Sequence, residues 1–239
     1  MCNFASFVLT KGEEFWSDKS DSHEDIIREN NLHADGAHGS NILRVEISPS
    51  KKIKIWPSLK AWAYKVDQDW VPEWFDAKEC EKRTRAALMR RYKKGFLSVY
   101  ASGCTSLTTL DAKNATGSVY ASGCTSLTTL DAKNATGYVD ASGCTSLTTL
   151  DAKNATGYVY ARGCTSLTTL DAKNATGYVY ASGCTSLTTL DAGKARSVYA
   201  SGCTSLTTLD AKNATGYVDA SGCNPTLKII AGKKCMIIR

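Results

Sequence analysis

A chain of 239 residues, 43% of them hydrophobic and with a formal charge of +6, holds apolar material for one large or two modest domains. The charge is split mildly, 17 basic against 15 acidic residues over 1–96 and 12 against 8 over 97–239, which by itself carries no nucleic-acid signature. No apolar run is long enough to span a membrane, and the first residues lack the basic start and apolar run of a signal peptide, so the expectation is a cytoplasmic protein without a membrane partner.

Composition is not uniform along the chain. All five Trp, all three His and four of the five Phe precede residue 76, whereas a 20-residue period dominates from Val99 to Cys223. The expected organisation is a small α+β head domain over 1–96, an all-β repeat solenoid over 97–223, and a C-terminal cap over 224–239.

In the head, Phe4 to Thr10 reads as a strand, Lys11-Gly12 as a turn, and Glu14 to Trp16 as the returning strand. Asp21 to Asn30 reads as a helix capped by Asp21 or Ser22, with acids crowding its first turn. A polar loop over 32–40 leads to a strand over 41–48. Lys51 to Pro57 reads as a basic turn, and 59–66 as a segment ending in a strand. Asp76 opens a helix reaching Lys94. That last helix is expected to dock on the first repeat and cover its open strand edge.

The repeat reads VYASGCTSLTTLDAKNATGY, with near-copies starting at Val99, Val119, Val139, Val159, Val179 and Val198 and a seventh fading after Cys223. Fixed short periods signal solenoids. Val99 and Ala101 alternate with polar residues, as do Leu110 and Ala112, which predicts two short half-buried strands per unit. A helix over 107–113 is rejected: two threonines, an Asp and a following Asn-Ala-Thr-Gly are poor helix material. Coils stacked at about 4.8 Å bury what one unit cannot.

Stacking turns each position into a column. Val99, Ala101, Cys104, Leu107, Leu110 and Ala112 start the inward columns. The thiols Cys104, Cys124, Cys144, Cys164, Cys184 and Cys203 form a buried ladder, and stacked Cβ atoms about 4.8 Å apart miss the ~3.8 Å of a disulfide. Seven of the ten cysteines follow the coil, so a reducing compartment is expected. Asn114, Asn134, Asn154, Asn174 and Asn213 are expected to form an amide ladder, each bonding the coils above and below. The fifth copy, Ala192-Gly193-Lys194-Ala195-Arg196, is one residue short and is expected to kink the stack or leave a ragged loop. Outward, Asp111 and Lys113 form neighbouring columns of opposite charge.

Leu107 to Asn114, preceded by Gly-Cys-Thr-Ser-Leu, resembles the short bacterial leucine-rich repeats that run LTxLDxSxN, known from surface proteins of gut bacteria and their phages. Ala112 stands where that family prefers a larger residue, so a slim β-solenoid competes with a horseshoe. Residues 66–69, 72–76 and 81–88, together with 20–27 and 32–36, resemble a small module at the start of tailed-phage proteins that is often followed by repeats. The resemblance implies a phage-encoded protein in a bacterial host and brings no catalytic residues.

Three groups carry candidate chemistry. Tyr100, Tyr120, Tyr160, Tyr180 and Tyr199 make an outward column, interrupted by Asp140 and Asp219, suited to stacking bases, sugars or partner side chains, or to stiffening the sheet. His23, His33 and His38 fall within 16 residues, and His33, Asp35 and His38 have ligand types for a divalent metal. Local hydrogen bonding in a polar loop is the alternative. Lys82, Arg83, Arg85, Arg90 and Arg91 could meet phosphates, or simply form a solvated helix face. Ice binding is disfavoured by the charged row Thr109, Asp111, Lys113. A consensus group recurs in every coil, which is no recipe for one catalytic pocket. The expectation is therefore a non-catalytic scaffold using its solenoid surface for a protein partner or self-association, with no cofactor. The alternative is a metal-dependent hydrolase or nucleic-acid-binding protein acting through the head.

Overall fold

The computed structural model of the chain describes residues 5–17, 20, 22–32, 41–49, 53–54, 62–94 and 98–239. The head elements are β1 (Ala5–Leu9), β2 (Glu14–Phe15), α1 (His23–Glu29), β3 (Leu43–Pro49), β4 (Ile53–Lys54), β5 (Trp62–Val66) and α2 (Ala77–Lys94). Four of these strands form an antiparallel sheet in the order β2-β1-β3-β5. Every residue of β1 is buried, with Phe7 and Leu9 fully so. Ser22 caps α1, its side chain accepting from the Asp25 backbone N–H, and the Asp76 carboxylate accepts from the Glu79 N–H at 2.8 Å to start α2. Both caps are those expected from the sequence.

After the head comes a β-solenoid of parallel strands in two eight-stranded sheets. One sheet is the valine row, beginning with Val99–Tyr100 and Val119–Tyr120 and ending with Tyr217–Asp219 and Met236–Ile238. The other is the leucine row, seven strands running from Leu107–Asp111 through Thr129–Asp131 to Lys228–Ala231, with the head strand β4 as its eighth. Register is strict: Val139 pairs with Val119 and Val159, and Leu150 with Leu130 and Leu170. A one-residue slip would turn the Val and Leu side chains outward, and burial of about 1.5–3 kcal/mol per side chain resists it.

Between the sheets lies a core of Val, Leu, Cys and Ala columns, almost all at 0% exposure in the central coils. A seventh inward column, Ala115 and its equivalents, joins those expected. The turn glycine of each coil sits in the left-handed region, from Gly103 at φ +75° to Gly222 at φ +68°. That conformation, rather than lack of space, is what selects glycine there, since a Cβ on Gly143 would come no nearer than 3.8 Å to other atoms.

Several expectations are corrected. The short fifth coil neither kinks nor frays the stack. Tyr178 pairs with Ser197 and Leu190 with Leu209, so the missing residue is absorbed in the turn, where the Arg196 N–H donates to Gly177 O at 2.9 Å. The open edge of the leucine row is covered by β4, which pairs in parallel with Leu107–Asp111, rather than by α2. Helix α2 instead contributes Cys80, Ala87 and Leu88 to a core continuous with that of the coils. At the far end, residues 228–231 and 236–238 do not close the stack but extend both sheets by one strand, leaving Ile230, Met236, Ile237 and Ile238 exposed. No helix among the described residues is long and apolar enough to cross a membrane.

Candidate interaction surface

The valine row presents the tyrosines. Residues on either side of an inward Val point to the same outer face of the strand. Tyr100, Tyr120, Tyr160, Tyr180 and Tyr199 follow their valines, as expected. A second column precedes the valines: Tyr138, Tyr158, Tyr178 and Tyr217, with Ser98, Ser118 and Ser197 in the remaining places. Sequence reasoning missed it, although Gly-Tyr-Val-Tyr recurs at 157–160 and 177–180. Where serine stands, its hydroxyl accepts from the next coil, from the Tyr138 N–H at 3.0 Å and the Tyr217 N–H at 3.0 Å.

The rings stack along the solenoid axis. Centroids lie 5.1 Å apart for Tyr100 and Tyr120, 5.1 Å for Tyr160 and Tyr180, and 4.9 Å for Tyr180 and Tyr199, with interplanar angles of 13°, 6° and 10°. In the second column Tyr138 and Tyr158 stack at 5.3 Å, and the two columns meet where Tyr158 lies 6.0 Å from Tyr160. Burial among their neighbours raises the Tyr160 and Tyr180 hydroxyl pKa values above the usual range. Tyr180 has a stacked ring on each side, Tyr160 and Tyr199, and every other ring of that column has a stacked neighbour on one side. Inside a run the column therefore offers hydroxyls and ring edges, not the free faces that base or sugar stacking requires.

The exception is the gap at Asp140. Its strand neighbours are Tyr120 on one side and Tyr160 on the other. Two coil steps of about 4.8 Å put those two strand positions roughly 10 Å apart, with Asp140 between them. Tyr138 flanks the gap from the same strand. One carboxylate oxygen of Asp140 accepts from the Ser142 N–H at 2.9 Å. Nearby, the Arg162 guanidinium lies 4.3 Å from the centroid of Tyr180, so a cation already sits on this column. At Asp219 the gap is bounded by Tyr199 and by Ile238 in place of a second ring.

Elsewhere the surface is knitted along the axis. The Asp and Lys columns pair within the coil, from 2.8 Å for Lys113 with Asp111 to 3.9 Å for Lys133 with Asp131, except in the short fifth coil, where Gly193 takes the Lys place and its N–H donates to Asp191. The asparagines do not form an amide ladder. Asn134, Asn154, Asn174 and Asn213 donate instead to backbone carbonyls of the coil before, Lys113 O at 2.7 Å, Lys133 O at 2.6 Å, Lys153 O at 2.8 Å and Gly193 O at 2.6 Å. Asn174 also reaches the next coil, its Oδ1 accepting from Lys194 Nζ at 2.9 Å. The thiols do the same inside: Cys124 donates to Ala101 O at 2.9 Å and Cys184 to Ala161 O at 2.9 Å. Hydrogen bonding with the Cys164 thiol, and burial, push the Cys184 thiol up to about 12, with an opposing contribution from Cys203. From Cys124 onward the ladder cysteines are unbridged, but Cys104 is disulfide-bonded, contrary to the expectation that none would be.

The head candidates fare differently. His33, Asp35 and His38 lie outside the described residues. The five α2 cations named as phosphate candidates, Lys82, Arg83, Arg85, Arg90 and Arg91, are engaged within the head. Arg83 pairs with Glu14 at 2.6 Å and donates to Thr10 O, Lys11 O and Glu13 O, Arg90 also reaches Glu14 at 2.5 Å, and Arg91, 5% exposed, donates to Ser17 O at 2.9 Å. Lys82 pairs with Glu79 and Arg85 with Glu81. These contacts turn much of the positive charge toward protein rather than toward a phosphate backbone. A hollow of about 460 Å³ between the β1–β2 turn and the end of α1 is lined by Thr10, Lys11, Asn31, Asn41 and Trp74 among others, a set without a paired acid and base. No family model, curated protein or solved structure matches the chain.

Proposed function

We propose that the protein is a non-catalytic binding scaffold whose tyrosine-bearing solenoid face takes a protein partner through that partner's cationic side chains. The observation that carries this reading is the gap at Asp140, with a carboxylate at its base and a tyrosine ring on each side. An ammonium or guanidinium placed midway stands one coil step, about 4.8 Å, from each tyrosine position, inside the ~6 Å reach of a cation–π contact. Each such contact contributes about 0.5–1 kcal/mol at an exposed site, so useful affinity needs several cations along the face. The head anchors one end of the stack, and copy number sets its length.

The test is titration of the full chain with a lysine octapeptide at about 0.1 M salt, where exposed charges are screened beyond roughly 10 Å. Asp140→Tyr completes the column and is expected to weaken binding several-fold with the fold retained. Equal binding by both proteins, or none by either, rejects the reading. A defined oligomer in native mass spectrometry, lost in the same variant, would move the partner to a second copy of this chain.

The phage-encoded origin, and with it the bacterial cytoplasm as location, belongs to this proposal on the strength of the head motifs alone. A distant kinship to leucine-rich repeats is proposed on the Leu-Thr-Thr-Leu-Asp strand of the leucine row. A second sheet stands here where such repeats place a helix or 3₁₀ segment.

A further inference from the structure

In the head, three elements bring His23, Glu46 and Asp67 together, with one donor atom from each lying within 4.8 Å of the others. His23 opens α1, Glu46 sits mid-strand in β3, and Asp67 follows β5. The sheet fixes the last two, since Glu46 pairs with Lys65, two residues before Asp67, and the Asp67 N–H donates to Arg44 O at 2.9 Å. His23 and Glu46 are 7% and 8% exposed, while the Asp67 side chain, at 35%, leaves an approach from solvent.

The imidazole is oriented. Its Nε2 stands 3.1 Å from Val45 O, and a carbonyl can only accept, so Nε2 carries a proton. In the neutral ring Nδ1 then presents a lone pair, and it faces Asp67 Oδ2 at 3.6 Å. Lys65 Nζ holds the other carboxylate oxygen at 2.7 Å. At 3.6 Å the two groups leave room between them for a proton or for a metal ion. A shared proton would draw them to about 2.7–3.2 Å. Tetrahedral zinc, with bonds of about 2.0–2.1 Å, holds neighbouring donor atoms about 3.3–3.4 Å apart. A ring N–H anchored on a backbone carbonyl is also how a metal-binding histidine is commonly held.

We propose that His23 Nδ1, Asp67 Oδ2 and, after a rotation of its side chain, Glu46 bind one zinc ion, with water in the fourth position, stapling α1 to β3 and β5. The site is distinct from His33, Asp35 and His38, departs from the expectation of no cofactor, and is independent of the tyrosine face. Arg44 pairs with Glu24 at 3.5 Å and acts on Asp67 through its charge, without an ion pair to the Asp67 carboxylate.

The test uses the full chain, stripped with chelator and titrated with zinc chloride, read by equilibrium dialysis with elemental analysis and by the ¹⁵N resonances of His23. One equivalent of zinc is expected, shifting His23 Nδ1 and leaving Nε2 protonated. Asp67→Asn, nearly isosteric, is expected to weaken zinc binding at least tenfold while circular dichroism stays unchanged, and His33→Ala to leave it intact. His23→Ala should match Asp67→Asn; if it does not fold, Asp67→Asn and the resonance carry the test. The proposal is overturned if zinc leaves the His23 resonances unmoved, if Asp67→Asn binds as tightly as the parent, or if His33→Ala removes the zinc. It is equally overturned if His23 merely titrates as an imidazolium beside Asp67 with no zinc bound.

Discussion

Leu170→Ala is the most direct probe of the stack's energetics. Leu170 is 1% exposed and lies in register between Leu150 and Leu190. Truncation removes three carbons, about 2.4 kcal/mol at ~0.8 kcal/mol each. The cavity left between two fixed coils adds to this, since partial collapse would break the strand register on both sides, so a total of about 3–4 kcal/mol is expected, within the ~2–5 range of buried leucines. Ile229 occupies the equivalent place in the last coil, half-exposed and paired only with Leu209. With one neighbour instead of two, Ile229→Ala should cost about 1–1.5 kcal/mol. In urea, with a slope of about 2 kcal/mol per M, the midpoints should fall by roughly 1.5–2 M and 0.5–0.7 M. Equal shifts, or a shift under about 0.3 M for Leu170→Ala, would refute coil-by-coil stacking as the source of stability.

Other outcomes follow from single sites. Gly143→Ala, at φ +73°, should cost about 1–2 kcal/mol by thermal denaturation, against almost nothing for Gly12→Ala, which has open space and no positive φ. Arg83→Ala removes one of the two Glu14 ion pairs and three carbonyl contacts, and should cost about 1–2 kcal/mol, mostly from the lost carbonyl contacts, since Arg90 still holds Glu14. Native protein at pH 8 should leave Cys144, Cys184 and Cys203 unmodified by a thiol reagent until it unfolds, because each is buried and held as the thiol; reaction at the rate of Cys235 would contradict the buried ladder. The Lys65 hydrogen bond lowers the Asp67 pKa. Its contribution is therefore present above the ordinary carboxylate range and is lost as pH falls below about 4, and Lys65→Ala should flatten that part of the stability profile.

The two sheets, their faces and the Asp–Lys pairing were legible because a strict period makes every coil its own alignment: one alternation, repeated, fixes the inward set. Ala115 escaped because it sits in a stretch rich in turn residues, where burial comes from the stack and not from a strand pattern. The preceding tyrosine column escaped because Ser118 and Ser197 break it, though the paired tyrosines about Val159 and Val179 carry the signal. Strand β4 could not be read from its basic neighbourhood, since two residues become a strand only by meeting Leu107–Asp111 from far away in sequence. The His23 cluster shows the same limit. Histidines close in sequence suggested a site at 33–38, whereas the sheet joins residues 23, 46 and 67. The short fifth coil was misjudged because the turn, unlike the strands, tolerates a lost residue without losing register.

The central claim is a straight stack of in-register 20-residue coils, and its length is the measurement that tests it. Four further copies of residues 139–158 inserted after residue 158 should lengthen the particle by about 19 Å in solution X-ray scattering, at ~4.8 Å per coil, with the cross-section unchanged. An increase under about 10 Å, a widened cross-section, or an unfolded chain would contradict it.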